Sequence, residues 1–340
     1  MALQSSGTIS FGNIKDEFGL PSGKNIGAYR VSENHGELTN MPLDAGIPQS
    51  GQIAFSDFYS KRLNVVIDYY SGGTQYRQNA RSQWTNNTSK VKVIGKHRSR
   101  PSSSAGKKVF IHVNKSIGSE KSQTTSRCAL RTGGWNSGTN LTLDVGSSGR
   151  IVGAGGNGGK GRVCSGGYNG KNGTSGLGNQ YSGLKINVFS GGRIQAGYAG
   201  GGGGGGGHND PDKNTQDHAS SGGGGGGGAG LPAGSGGPGG DGAFGSGGNG
   251  SGGSGGSMTA GGGGGGGRSG GGSSSGSGGR GGDPNDGAQS GGGGSGNVCS
   301  SGGKSAGSNG AAIRDSSGAS FTILSGSSRV YGSTSASGVS

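Results

Sequence analysis

Runs of pure glycine constrain this chain more than any other feature of its sequence. Three stretches, Gly200–Gly207, Gly222–Gly228 and Gly261–Gly267, contain no other residue. Between Gly200 and Gly318 the only large apolar side chains are Leu231, Phe244, Met258, Val298 and Ile313. Five such groups cannot build a conventional core, because buried apolar area is what offsets the entropy of ordering a chain. The region is therefore either a flexible linker or a structure ordered without a core.

The spacing of the other residues favours order. Ala154, Asn157 and Lys160 interrupt the glycines of 153–161 at intervals of three, and the interval recurs at Ser235, Pro238, Asp241 and Phe244, at Ser251, Ser254 and Ser257, and at Ser277, Arg280 and Asp283. A period of three is neither α nor β; it is the period of a polyproline II helix, in which each pure run would span about 22 Å. A Gly/Ser linker needs no such regularity. These helices have no internal hydrogen bonds, so their N–H and C=O groups must pair with neighbours when buried. Glycine alone lets backbones approach from every side, which places uninterrupted runs inside a bundle and Gly-Gly-x runs at its edge. Collagen is excluded by the lack of a sustained Gly-x-y repeat and by a total of 8 prolines.

Upstream, the pattern is β. Leu63 to Tyr70, Val91 to Ile94, Val109 to Val113 and Leu141 to Val145 read as strands bounded by Ser, Gly and Pro. With Trp84 and Trp135 they are expected to fill a small sandwich over residues 63–152. A repeat begins there. Leu141-Thr-Leu143-Asp-Val145-Gly-Ser-Ser-Gly149-Arg150-Ile151 recurs as Leu184-Lys-Ile186-Asn-Val188-Phe-Ser-Gly-Gly192-Arg193-Ile194, and more loosely as Phe321 to Val330, one residue longer before Arg329. Each copy reads as a strand, a tight turn and a short second strand. The last copy is expected to return to the sheet of the first two.

Residues 1–62 carry a different repeat. Ile9, Phe11 and Ile14 correspond to Ile53, Phe55 and Phe58, each set followed by a polar residue able to cap a short helix. Two equivalent elements with little core suggest a segment that folds against something else, and so an attachment region. The fold class expected is all-β plus a glycine-rich polyproline II helix bundle: an attachment segment (1–62), a small, basic β-sandwich-like domain (63–152), and a polyglycine lattice with a terminal strand (153–340).

Charge is concentrated in the basic domain. Between Arg77 and Arg131 stand 13 Lys or Arg against one acid, Glu120. A solvated surface is the plain explanation; a face for an anionic partner is the sharper one. Cys128, Cys164 and Cys299 are too few and too scattered for a disulfide framework, and are expected as buried thiols. The N-terminus lacks the pattern of a signal peptide, and no apolar run reaches membrane-spanning length, so synthesis in a cytoplasm is expected.

No catalytic constellation stands out, and the chain is not expected to be an enzyme. His97 and His112 lie near strands without an evident acid partner. The 16 acids offer no obvious pair for glycoside hydrolysis. Gly-x-Gly-x-x-Gly patterns are frequent here but lack the strand–helix unit that nucleotide binding requires. One clear Arg-Gly-Gly is too few for RNA binding, so no nucleic-acid partner is expected. The segment His208-Asn209-Asp210-Pro211-Asp212-Lys213-Asn214-Thr215-Gln216-Asp217-His218 has metal-ligand chemistry but matches no metal motif, and a polar connecting loop is preferred. No metal and no cofactor are expected.

The arrangement strand, Gly-Gly-Arg-Ile, polyglycine at Leu184 to Gly207 resembles the glycine-rich tail-fibre proteins of marine cyanophages. The alternation of glycine runs with short polar segments over about 140–340 is similar to the tip adhesins of T-even-type long tail fibres. Residues 1–62 do not match the fibre-docking domain of those adhesins. The resemblance implies a tail-fibre or tail-tip adhesin in a virion, with stacked polyproline II helices whose loops contact the host. The recognition loops would be His208, Asn209, Asp210, Asp212, Lys213, Asn214, Asp217 and His218, supported by Asp283, Asn285 and Asp286 and by Tyr168, Asn169 and Lys171. Ile9, Phe11, Ile14, Ile53, Phe55 and Phe58 would attach the chain to the virion. The partners implied are other phage tail or fibre proteins and a bacterial surface receptor, an outer-membrane protein or lipopolysaccharide; a homotrimer is one candidate assembly. The alternatives are a virion adaptor or fibre shaft without receptor contact, and an ice-binding bundle.

Overall fold

A computed structural model describes residues 3–19, 25–30, 47–48, 50–70, 72–94, 99–122, 124–209, 218–241, 249–269, 273–295 and 297–340, without the side chains of Asn209 and His218. The protein is sheet-rich with few, short helices. Instead of a sandwich, the strands form three mostly parallel sheets around one core, in five successive rungs of three strands. The first rung is β1 (Asn64–Tyr69), β2 (Gln75–Tyr76) and β3 (Gln78–Asn79), with β4 (Val91–Val93) antiparallel at the edge of β1. The second is β5 (Lys108–Val113), β6 (Ser116–Gly118) and β7 (Cys128–Arg131), and the third β8 (Asn140–Val145), β9 (Arg150–Val152) and β10 (Ser175–Asn179). The fourth begins with β11 (Ser182–Val188) and β12 (Arg193–Gln195), then leaves the sheets through the hairpin β13 (His208–Asn209) and β14 (His218–Ala219), and closes with β15 (Ile313–Asp315). The fifth is β16 (Ser320–Ser325), β17 (Val330–Tyr331) and β18 (Ala336–Ser337).

The sequence repeat is the rung itself. Parallel pairing sets Leu143 beside Ile186 and Ile186 beside Ile323 in one sheet, and Ile151 beside Ile194 and Ile194 beside Val330 in the next. The extra residue of the third copy is Leu324, skipped where the register shifts between Ile186/Ile323 and Asn187/Ser325. Two earlier rungs escape the repeat because their turns differ in length; Ile111 nevertheless pairs with Leu143, and Ile117 with Ile151. Ile111, Ile117, Leu143, Ile151, Ile186 and Ile194 are fully buried, each worth roughly 1.5–3 kcal/mol over exposure, while Ile323 and Val330 of the last rung are half-buried. Strands of the fourth rung lie far apart in sequence, Gln195 against Ile313, and pairing crosses the expected 152/153 boundary in all three sheets. The β part and the glycine part are therefore not successive domains.

The glycine-rich chain is inserted at one corner of this stack, between the second and third strands of a rung. Residues 153–174 leave the third rung there and 196–312 leave the fourth. Together they make ten extended segments: 153–162, 167–174, 196–207, 219–229, 233–241, 249–257, 260–268, 273–283, 288–295 and 301–311. Their hydrogen bonds recur every third residue, as in Gly156 N to Tyr198 O, Gly159 N to Gly201 O and Arg162 N to Gly204 O (2.8, 2.9 and 3.2 Å). The segment 196–207 bonds to six others: Gly159, Gly279 and Gly307 donate to it at Gly201, Gly202 and Gly200, while Gly203, Gly204 and Gly205 donate from it to Tyr168, Gly223 and Gly292. Segment 219–229 likewise has six neighbours, 153–162, 196–207, 233–241, 249–257, 260–268 and 273–283. Two of the three pure runs are thus interior. Gly261–Gly267 is at the edge, with Gly263 and Gly266 exposed, which corrects the expectation that every uninterrupted run lies inside.

Residues 3–63 also depart from expectation, because they have a core. Leu3, Ile9, Ile14, Phe18, Tyr29, Ile47, Phe58 and Leu63 pack on Val66, Ile94 and Phe110, the other face of the first sheet. Both faces of these parallel strands are buried, which explains the uninterrupted apolar stretch at Val65, Val66 and Ile67. The two motif copies each form a short helix, Phe11–Phe18 and Phe55–Phe58, and Asn13 and Asp57 accept the N–H groups of Ser10 and Ala54 at 2.9 and 2.8 Å. Glu17 clamps the segment down: buried, it pairs with Lys107 Nζ at 2.5 Å and accepts Leu63 N–H at 2.7 Å.

Candidate functional site

Successive glycine-rich segments run in alternate directions, as the pairs Gly201 N to Gly226 O and Gly204 N to Gly223 O show. Their turns therefore sort to two ends. The proximal end, beside the sheets, has the turns 230–232, 258–259 and 284–287. Gln195 of β12 donates to Met258 O at 2.7 Å, and Ser119 N–H donates to Leu231 O at 3.0 Å. The distal end has the turn 163–166 and the segment ends at 207–209, 218–219, 241, 249, 268–269, 273, 295 and 297–301. The candidate loops thus do not share one face. His208, Asn209 and His218, where the 208–218 segment leaves and rejoins the bundle, are distal, whereas Asp283, Asn285 and Asp286 are proximal.

The distal end is cross-linked. Cys164 and Cys299 form a disulfide between the turn at 163–166 and residues 297–301, with Cα atoms 5.5 Å apart, so the expectation of three free thiols is corrected. Only Cys128 is free; it is buried, and burial pushes its thiol up to about 12. His208 bridges to Cys299 at the base of the hairpin, its N–H donating to Cys299 O at 3.1 Å. Cys164, His208 and Cys299 have the composition of a metal set, but the disulfide takes both cysteine sulfurs out of it. Arg162 stacks on Tyr168 at 4.3 Å and bonds its hydroxyl. Tyr168 is 47% and Val298 56% exposed, so the tip offers an aromatic and an aliphatic surface among polar groups.

Asn169 and Lys171 are exposed beside Tyr168, while the backbones of Tyr168 and Lys171 bond to Lys160 and Asn157. Asp210, Asp212, Lys213, Asn214 and Asp217, and the side chains of Asn209 and His218, lie outside the described residues. At the proximal turn, Asp283 is turned inward and accepts the N–H groups of Asn285 and Asp286 at 2.9 and 3.0 Å. Burial alone would raise its carboxyl; the N–H donors of Asn285, Asp286 and Gly261 and the Arg280 guanidinium outweigh that and hold it below the usual range. Asp283 therefore shapes the turn, and Asn285 and Asp286 are the exposed members.

Of the six residues expected to attach the chain, Ile9, Ile14 and Phe58 are buried in the N-terminal core, Phe11 and Ile53 are half-buried, and Phe55 is exposed. The basic segment is partly used internally. Lys107 pairs with Glu17, Arg77 and Arg127 share Glu120, and Arg81 and Arg100 cover Trp135 and Trp84. His97 lies outside the described residues. His112 does have an acid beside it: Asp144 Oδ2 is 3.6 Å from its Nε2, both are buried on the outer face of the first sheet, and Asn187 donates to Asp144 at 2.8 Å. The sequence missed the disulfide and the sharing of ends. Counting segments from each strand gives the direction of every turn, and would have placed both cysteines at the same end.

No family model matches the sequence, and no curated protein matches it. Among solved structures, the gp37–gp38 adhesin tip complex of the bacteriophage S16 long tail fibre is similar to this chain at a TM-score of 0.37 and 21% identity, over 85% of this chain and 89% of that one. At so low a TM-score the likeness carries no structural inference.

Proposed function

We propose that this protein is a bacteriophage tail-fibre or tail-tip adhesin whose glycine-rich segments are polyproline II helices and whose distal turns bind a receptor on the bacterial surface. The observation that carries this reading is the convergence of the turn 163–166 and the ends of eight other glycine-rich segments at one disulfide-tied end of a bundle whose two central segments each bond to six neighbours. The three-residue hydrogen-bond period is that of polyproline II. Side chains in such turns have no packing role and can vary without disturbing the bundle. The bundle holds their bases in place, so less order remains to be imposed on binding. The His, Asp, Asn and Lys of 208–218, together with the exposed Tyr168 and Val298 of the same end, would supply donors, acceptors and apolar contact for a polar outer surface of a cell.

The test is exchange of residues 208–218 for a Gly/Ser segment of equal length, combined with Tyr168→Ser and Val298→Ser. Folding, judged by circular dichroism and melting, should persist, and incorporation into particles should be normal, while adsorption to host cells falls. Unchanged adsorption with normal particles would sink the adhesin reading and leave a scaffold.

A further inference from the structure

Each copy of the rung repeat carries an arginine at the start of its second strand, and the structure brings the three together. Arg150 opens β9, Arg193 opens β12, and Arg329 stands immediately before β17. Arg193 pairs in register with Arg150, and the neighbouring pair Ile194–Val330 brings Arg329 to the next position. Adjacent strands lie about 4.8 Å apart, so three cations stack at one margin of the sheet, an arrangement that like-charge repulsion disfavours. Among the described residues no carboxylate lies within 4.0 Å of any of them. Burial, and then the charge of Arg193, pull the Arg150 guanidinium below its ordinary value.

Arg150, Arg193 and Arg329 line a half-open cavity of about 310 Å³, with Tyr331, Met258 and Thr259. Each is held by one nitrogen. Arg150 Nη1 donates to the carbonyls of Ser147 and Gly149, both at 2.9 Å; Arg329 Nη1 donates to Val188 O at 2.9 Å; Arg193 Nη1 donates to Gln195 Oε1 at 2.9 Å. Arg193 also lies 4.4 Å over the Tyr331 ring. A guanidinium has five N–H donors, so each retains others for a ligand. The opposite wall is fixed too, because Gln195 Nε2 donates to Met258 O at 2.7 Å. All three arginines are half-buried and pre-positioned.

We propose that this cavity is an anion-binding site that takes a phosphorylated sugar. Arginine forks match the oxygens of phosphate and carboxylate, and three of them suit the three terminal oxygens of a phosphate monoester better than the two of a carboxylate. The volume is at the lower end of the range for small-molecule sites, about 300–1,000 Å³, which accommodates a monosaccharide as well as its phosphate. Tyr331 and Met258 give the ring an apolar flank, and Thr259 a hydroxyl. The site is proximal, away from the distal turns, and stands independently of the adhesin reading.

Titration calorimetry of the full chain with glucose 1-phosphate, inorganic phosphate, glucuronate and methyl glucoside tests the proposal. Saturable binding of glucose 1-phosphate is expected, weaker binding of inorganic phosphate and glucuronate, and none of methyl glucoside. Arg193→Gln and Arg329→Gln should each weaken binding about tenfold or more, the loss typical of one charged hydrogen-bonding group. Thr259→Glu keeps every arginine hydrogen bond and places a carboxylate at the exposed rim; it should fold normally and abolish binding. No saturable binding of glucose 1-phosphate to the wild-type chain, or undiminished binding to Thr259→Glu, overturns the site. Glucuronate binding as tightly as glucose 1-phosphate overturns the phosphate assignment. Exchange of residues 208–218 should leave the calorimetry unchanged, so loss of either function is read separately.

Discussion

Adding a single methyl group at Gly204 and at Gly266 should have opposite consequences, although both belong to pure glycine runs. A Cβ at Gly204 would sit 2.2 Å from Gly276 O and 2.8 Å from Gly276 C, about 1.2 Å inside ordinary contact with the oxygen. The obstacle is backbone, and it cannot yield freely. Segment 273–283 is held at that level by Gly223 N to Gly276 O, Gly276 N to Gly205 O and Gly279 N to Gly202 O, at 3.0, 2.9 and 2.8 Å. Overpacking by a methyl-sized group costs about 1–3 kcal/mol, and each buried backbone group left unpaired by a shift adds about 1–3 kcal/mol. Gly204→Ala should therefore lose about 2–6 kcal/mol, taking one strained contact and one broken bond. A Cβ at Gly266 meets nothing within 4 Å, and its φ is outside the left-handed region. Gly266→Ala should be neutral or stabilising by about 0.5 kcal/mol, through reduced entropy of the unfolded chain. Urea unfolding of both variants, read by circular dichroism and by limited proteolysis of the glycine-rich region, gives the comparison. Equal midpoints for the two variants would falsify close packing around segment 196–207.

Other expectations follow from the same geometry. At the edge run, Gly263→Ser should be tolerated while Gly264→Ser, whose Cβ would run into Gly278 O, should melt several degrees lower, although both residues are exposed; thermal melts of the pair decide it. Glu17→Gln should cost about 3–5 kcal/mol by stranding the Lys107 ammonium, and Lys107→Met added to it should restore much of that; equal stability of the single and double variants in urea would contradict the clamp. Native protein should resist thiol alkylation at pH 8, because Cys128 is buried with its thiol pushed up to about 12 and the other two cysteines are bridged. Unfolded unreduced chain should label once, and reduction should lower the melting temperature, since the bridge closes a separation of 135 residues and such loops are worth about 5 kcal/mol in the chain-entropy model. The Asp283 carboxyl is held below its unfolded value of about 3.9, so its contribution is complete above that pH and is lost as pH falls through the folded pKa. Asp283→Asn should flatten this acid limb of stability, and an unchanged pH profile would remove Asp283 from the turn.

What the sequence determined by itself was local or periodic. The three-residue interval dictated extended segments bonded to neighbours, because an extended chain without internal hydrogen bonds must find partners once buried. The strand repeat predicted that its last copy returns to the sheet of the first two, and Leu143, Ile186 and Ile323 do stack there. Composition likewise showed that the stretch from Gly200 to Gly318 could not be ordered by a hydrophobic core of its own, and of its five large apolar side chains Ile313 joins the core of the sheets. Only the tertiary structure decided where these parts meet. Asn179 bonds to Asp315 across 136 residues, and Ser182 to Ser320 across 138, so the stack exists only after both glycine-rich insertions have folded back. Whether a glycine run is central depends on its neighbour count: Gly200–Gly207 and Gly261–Gly267 look alike as strings, yet six segments surround one and three the other. The same folding back made Cys164 and Cys299 partners, separated Asp283 from His208, and gathered three repeat arginines at one cavity. A pattern along the chain specifies the partners a segment can accept, whereas packing in three dimensions selects which of them it has.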